Sequence, residues 1–147
     1  MDAGPHPNPA KAADGKRLRR LEPDPFPAAI VVQIFAEFLA GFGIFAIAQR
    51  LTAAGVPCPS AHDRARNRHR IAIAWSKSAV RAILTSPRYT GHEVWNKQRK
   101  EETLTDVEDV ALGYETHLKW NPKDTWLFSD HPAHPALITL ETFEDAQ

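Results

Sequence analysis

The residues whose types and spacing suit chemistry here are cations. Ser76, Lys77, Ser78 and Arg81 open a stretch in which Val80, Ile83 and Leu84 recur at helical spacing. On a helix over 77–86 those three face inward, and Lys77, Ser78 and Arg81 fall on the other side. Long donors on an exposed helix face suit phosphates and base edges of a duplex. Ser76 is a good N-cap, and its hydroxyl or the neighbouring N–H groups suit a phosphate as well. The same pattern also fits the solvated face of an ordinary amphipathic helix. Upstream, Arg64, Arg66, Arg68 and Arg70 alternate. An extended chain projects them to one side. Arginine suits bidentate phosphate contact and insertion into a narrow minor groove; a solubilising loop is the plainer reading. Arg88, just past Pro87, adds to the cationic set.

The charge balance is organised along the chain. Overall there are 18 Lys/Arg and 18 Asp/Glu, a formal net charge of +0. Residues 1–48 balance, whereas 49–100 hold eleven cations against Asp63 and Glu93, a net of +9. Residues 101–147 hold eleven acids against Lys119 and Lys123, a net of −9. Such a split suggests a polyanion-binding face with a separate acidic flank, or two halves that pair with each other.

The 147 residues are the size of one domain, and 43% hydrophobic with 24% charged residues is a soluble globular composition. One cysteine, Cys58, excludes an internal disulfide and fits a reducing, cytoplasmic setting. The N-terminus has no apolar core of signal-peptide length. The most apolar run, 26–51, is interrupted by Glu37, Gly41, Gly43, Gln49 and Arg50, so no membrane span is expected.

The elements that must position the cations read as α+β. A helix-turn-helix-like three-helix core is expected, with a small C-terminal β element and an extended N-terminal arm. Residues 1–27 form the arm, where 16–22 suit a short strand and Pro23, Pro25 and Pro27 prevent an early helix start. The domain proper is 28–147. Its first helix is expected over 28–40, with Val31, Ile34, Phe35 and Phe38 on one face and Gly41 as the stop. The second is expected over 43–54, burying Ile44, Ile47, Ala48 and Leu51. Residues 60–74 form a basic loop. Beyond Pro87, strands are expected near 91–95 and over 126–128, an acidic loop over 100–124, and the start of a helix over 140–147.

Other chemistries find less support. His131 and His134 lie three apart, but Pro132 and Pro135 oppose a helical pair and no Cys-x-x-Cys occurs, so no metal is expected. No nucleophile elbow or glycine-rich phosphate loop is present, and no cofactor or small-molecule substrate is expected. The carboxylates Glu101, Glu102, Asp106, Glu108 and Asp109 suit a hard cation in a nuclease, or a solvated loop. Trp75, Trp95, Trp120 and Trp126 read as packing residues rather than base-stacking platforms.

The order of several short signals resembles one family. Val31-Val32, Ile34-Phe35, Gly41, Ile47-Ala48, Leu51, Gly55-Val56-Pro57 and Pro59 come first. Trp75, Val80, Ile83-Leu84, Pro87 and Tyr89-Thr90-Gly91 follow, then His134-Pro135-Ala136-Leu137-Ile138 and Phe143. Over about 14–147 the chain resembles the recombinase domain of large serine recombinases, the site-specific integrases of bacteria and their mobile elements. The resemblance implies double-stranded DNA of an attachment-type site as partner, and a nucleoid-associated location. It maps the recognition surface onto residues 76–81, the preceding basic loop and the surroundings of Arg88. Phe42-Gly43 stands where the family more often has a small polar residue, and Thr52 replaces a frequent asparagine. The family's catalytic serine domain and its zinc ribbon have no counterpart in the sequence. The expectation is a DNA-binding module without its own strand-exchange chemistry, with a full-length or split recombinase as a further partner. A stand-alone helix-turn-helix regulator is the alternative.

Overall fold

The computed structural model describes residues 2–69 and 73–147, which divide into two compact units, residues 1–91 with 134–147 and residues 92–133. The first unit opens with an antiparallel pair, β1 (Asp2–Pro5) and β2 (Arg17–Arg19), joined through the short helix α1 (Pro9–Ala13). Helix α2 (Pro25–Leu39) follows, then α3 (Ile44–Ala53), the single turn α4 (Pro59–His62), α5 (Lys77–Leu84) and, at the end of the chain, α6 (Leu140–Asp145). The mixture of helices and small antiparallel sheets is α+β, as expected.

Helices α2, α3 and α5 pack pairwise around one apolar cluster. Its centre is Ile34, Phe35, Ile47, Leu51 and Val80, each at most 1% exposed. These are the residues whose 3.6-residue spacing marked them as inward. Phe143 of α6 brings its ring to 6.5 Å from that of Phe35. Gln147 Nε2 donates to the Leu84 carbonyl at 2.9 Å, closing the end of α5.

Helix α2 begins three residues earlier than the prolines suggested. Pro25 and Pro27 lie in its first turn, where backbone N–H groups have no helical partner to lose. Asp24 caps them by accepting from Phe26 N–H at 3.3 Å. The helix stops in a Schellman turn: Gly41 N–H returns to Phe38 O at 2.9 Å and Phe42 N–H to Glu37 O at 3.1 Å. Gly41 takes φ +93°, which only glycine adopts cheaply. The turn sets α3 back along α2, where Arg50 Nε meets Glu37 Oε2 at 3.1 Å, Gln33 donates to the same carboxylate, and the guanidinium covers the Phe42 ring at 4.6 Å. Helix α3 ends in the same way, with Val56 N–H returning to Leu51 O.

The second unit holds four strands: β3 (Val94–Trp95), β4 (Gln98–Leu104), β5 (Tyr114–Trp120) and β6 (Leu127–Phe128). β3 pairs with β6, and β4 with β5, both antiparallel. The acidic loop expected over 100–124 is therefore a hairpin of seven paired positions. Its sequence hides this because neither face is buried, so no apolar alternation appears. Trp95 and Trp120 are likewise exposed, at 54% and 64%, and only Trp75 is a core residue in the full sense.

The first unit's chain leaves at Gly91 and returns at His134, whose N–H donates to Gly91 O at 3.3 Å. Residues Leu137 and Ile138 both donate to Tyr89 O. Gly91 sits at φ +86°, and a Cβ there stands 2.8 Å from the His134 carbonyl oxygen. Gly91→Ala is expected to cost about 2 kcal/mol or more in equilibrium denaturant unfolding, from the strained φ together with the backbone clash.

Candidate nucleic-acid interface

Residue Ser76 has extended backbone and accepts from Ala79 N–H at 3.1 Å, so it is the N-cap expected for α5. Its hydroxyl also lies 2.9 Å from that of Ser78. Val80, Ile83 and Leu84 are buried, which turns Lys77, Ser78 and Arg81 outward. All three outward residues are exposed. With Ile44, Ala82 and Thr85 they line a shallow groove of about 400 Å³. Among the described residues, neither Lys77 nor Arg81 has an acidic partner. The two cations therefore stand open to an anion rather than neutralised by the chain's own carboxylates.

What holds this face in place lies at the start of α5. The Trp75 N–H donates to Thr52 Oγ1 at 3.0 Å, and its indole Nε1 donates to Val56 O at 2.9 Å. Thr52 in turn donates to Ala48 O at 2.8 Å within α3. The indole is 8% exposed. Two hydrogen bonds thus fasten the chain just before α5 to the end of α3. Thr52, which departs from the residue frequent in the resembled family, fills this role with its hydroxyl. Position within the amphipathic pattern gave no hint of it.

The other expected contacts are scattered. Residues 63–66 turn instead of running extended. Asp63 accepts from Arg66 N–H and pairs with Arg66 Nε at 3.4 Å, while Asn67 Nδ2 donates to Asp63 O at 2.9 Å. Arg64, Arg66 and Arg68 are exposed on this loop, but the turn does not align them as an extended strand does. Arg70 lies outside the described residues. Arg88 is exposed in the 3-10 turn Pro87–Thr90. None of Arg64, Arg66, Arg68 and Arg88 lines the α5 groove. Beside Arg88, burial pushes the Tyr89 phenol up, opposed by the guanidinium, so Tyr89 stays neutral and uncharged toward it.

Two hollows escaped sequence reading. An apolar one of about 200 Å³ lies among Phe26, Ile30, Pro57, Trp75, Ile83 and Tyr89. At its rim His62 stacks on Phe26 and lies 3.4 Å from Asp24. A basic one of about 490 Å³ is formed by His6, Lys11, Lys16, Arg17 and Arg19 around Gly15. The cationic run at 16–20 was its signal, muted by the single apolar residue Leu18 between Arg17 and Arg19. Here the Gly4 N–H, with Arg17 beside it, holds the Asp2 carboxyl below the usual carboxylate range.

Among the described residues, no group of three or more His, Cys, Asp or Glu side chains gathers as a metal site, and no helix is long and apolar enough to cross a membrane. The fold is thus a small α+β unit presenting a cationic helix face. The Recombinase family model matches residues 27–147, and the chain belongs to that family, in keeping with the recombinase domain of serine recombinases. Membership ties it to site-specific DNA recombination. No curated protein and no solved structure matches it. Residues 1–26, with the basic hollow, fall outside the matched span.

Two substitutions test how the interface is held. Ser76→Ala is expected to lower stability by about 1 kcal/mol through loss of the N-cap. Thr52→Val, which leaves the Trp75 N–H without its acceptor, is expected to cost about 1–3 kcal/mol. Thermal unfolding followed by circular dichroism checks both; a change within error for Thr52→Val contradicts the role given to its hydroxyl.

Proposed function

We propose that this chain binds double-stranded DNA as the recombinase domain of a site-specific serine recombinase, with α5 as the element presented to the duplex. The observation that carries the proposal is the open cationic face of Lys77, Ser78 and Arg81 on a helix whose opposite face is wholly committed to the core. Eight residues of helix are about 12 Å long, and a helix of ordinary diameter enters a major groove about 12 Å wide. Lys77 and Arg81, one turn apart, then reach phosphates or base edges. Ser76 and Ser78 supply hydroxyls at the helix start, where the macrodipole favours an anion.

In this reading α3 and α5 play the parts of a helix-turn-helix pair whose connection has grown into the basic loop. Arg64, Arg66, Arg68, Arg70 and Arg88 give sequence-independent phosphate contacts around the helix. The binding domain is residues 28–147, with 1–27 as its arm. The target is an attachment-type site, the partner a recombinase catalytic domain, and the location the nucleoid.

Binding of a short duplex, followed by gel shift over a range of salt, tests the proposal. The logarithm of the association constant is expected to fall with log salt by about 0.9 per phosphate contacted. Lys77→Ala with Arg81→Ala is expected to lessen that slope by about 2 where both cations contact phosphates, or by about 1 with a further loss of about 1–3 kcal/mol where Arg81 reaches a base edge. A flat salt dependence, or a double variant that binds as the parent does, overturns it.

A further inference from the structure

The hairpin of the second unit ends in a strand with one vacant side. β5 has only β4 as a strand neighbour among the described residues, and all seven of its residues are exposed. Natural sheets blunt such edges with bulges, prolines, short strands or charged side chains, here Glu115 and Lys119, because unpaired backbone groups invite another chain. β5 has no proline and keeps unbroken register with β4 from Gln98↔Trp120 to Leu104↔Tyr114.

The direction of its free groups follows from the ladder. Asn121 N–H donates to Lys97 O at one end, and Thr105 N–H donates to Gly113 O at the other. Hydrogen-bonded pairs alternate in an antiparallel ladder, so Glu115, His117 and Lys119 spend their backbone groups on β4. Tyr114, Thr116, Leu118 and Trp120 turn theirs away from it.

We propose that β5 is a dimerisation edge that takes the same strand of a second copy of this chain, antiparallel and centred on His117. This inference goes beyond DNA binding and stands independently of it. The two-fold register matches backbone to backbone and charge to charge. Thr116 lies opposite Leu118 of the second copy, and Tyr114 opposite Trp120, which are the residues whose N–H and C=O groups point outward. Glu115 lies opposite Lys119 of the second copy, in the closer non-hydrogen-bonded pairs, so that Lys119, already paired with Glu101 on its own β4, stands between two carboxylates. Each pairing occurs twice by symmetry. Opposite charges and aromatic residues facing across strands both favour pairing.

His117 meets its own copy at the axis, with Glu115 3.4 Å away on its strand and Glu101 across the ladder on β4. On one face of the joined sheet, Tyr114, Leu118 and Trp120 of the two copies meet. Each is now more than 60% exposed. On the outer edge of β4 the same construction sets Lys100 opposite Glu102 of the second copy, but its centre places Glu101 against Glu101, like charges directly opposed, which favours β5 as the edge.

Sedimentation velocity of the full chain without DNA, over a wide concentration range, provides the test. The parent is expected to show a monomer–dimer equilibrium. Glu115→Lys sets like charges in both symmetric pairs and is expected to weaken association about tenfold or more. The exchange Glu115→Lys with Lys119→Glu restores opposite charges and is expected to restore the dimer. Thr116→Pro, which removes an outward N–H, is expected to abolish it. A parent that stays monomeric throughout overturns the proposal. So does a dimer indifferent to Thr116→Pro or to Glu115→Lys. Lys119→Glu also breaks the Lys119–Glu101 pair within the hairpin, so loss of structure can only weaken the exchange variant, and its recovery of the dimer speaks for the register.

Discussion

The arrangement of the first unit depends on how Trp75 is fastened. Between the end of α3 at Ala53 and the start of α5 at Lys77 lie more than twenty residues, of which Pro59–His62 form the single turn α4. A segment of that length does not by itself set the direction of the helix that follows. Two hydrogen bonds, to Thr52 Oγ1 and Val56 O, and burial of the indole remove that freedom at one point. From there the Ser76 cap starts α5 immediately, and Val80, Ile83 and Leu84 have only one way to meet α2 and α3. The outward face of α5 is the remainder of that packing. The intervening loop, relieved of any part in positioning, can carry arginines at little cost to the core.

Charge gives a more modest picture in three dimensions than along the chain. The segment 49–100 is strongly cationic as a count, yet its cations do not act together. Arg50 is committed to Glu37 and covers Phe42, and Arg66 is paired with Asp63. Lys97, Arg99 and Lys100 belong to the other unit, and the change of sign in the sequence falls in the middle of β4. Lys77 and Arg81 are a small part of the excess, but they share one rigid helix face. For recognition, cations held in fixed relation matter more than a larger number dispersed over loops.

Legibility in the sequence followed burial. Helices α3 and α5, the Ser76 cap and the stop at Gly41 were readable because each leaves a local mark: an apolar face at 3.6 residues, a hydroxyl before it, a glycine after it. The start of α2 is hidden by its prolines, which elsewhere break a helix but in a first turn replace an N–H that no carbonyl awaits. The β4–β5 hairpin leaves no mark in the sequence because both its faces meet solvent, and its pairing rests on register and charge rather than on hydrophobic alternation. Of the candidate site, the α5 residues were legible as a face. Which arginines accompany them was not, since turns such as 63–66 are decided by single side-chain bonds like those of Asp63. The Thr52 hydroxyl left no pattern at all.

The meeting of Gly91 and His134 has a topological consequence. The chain departs from the helical unit and rejoins it at one hydrogen bond, so everything from 92 to 133 is, to that unit, a cassette. Its length and content enter the helical core nowhere. A change in its length leaves the cluster packed by α2, α3 and α5 as it is, whereas the tight glycine at the splice point leaves no room for a side chain.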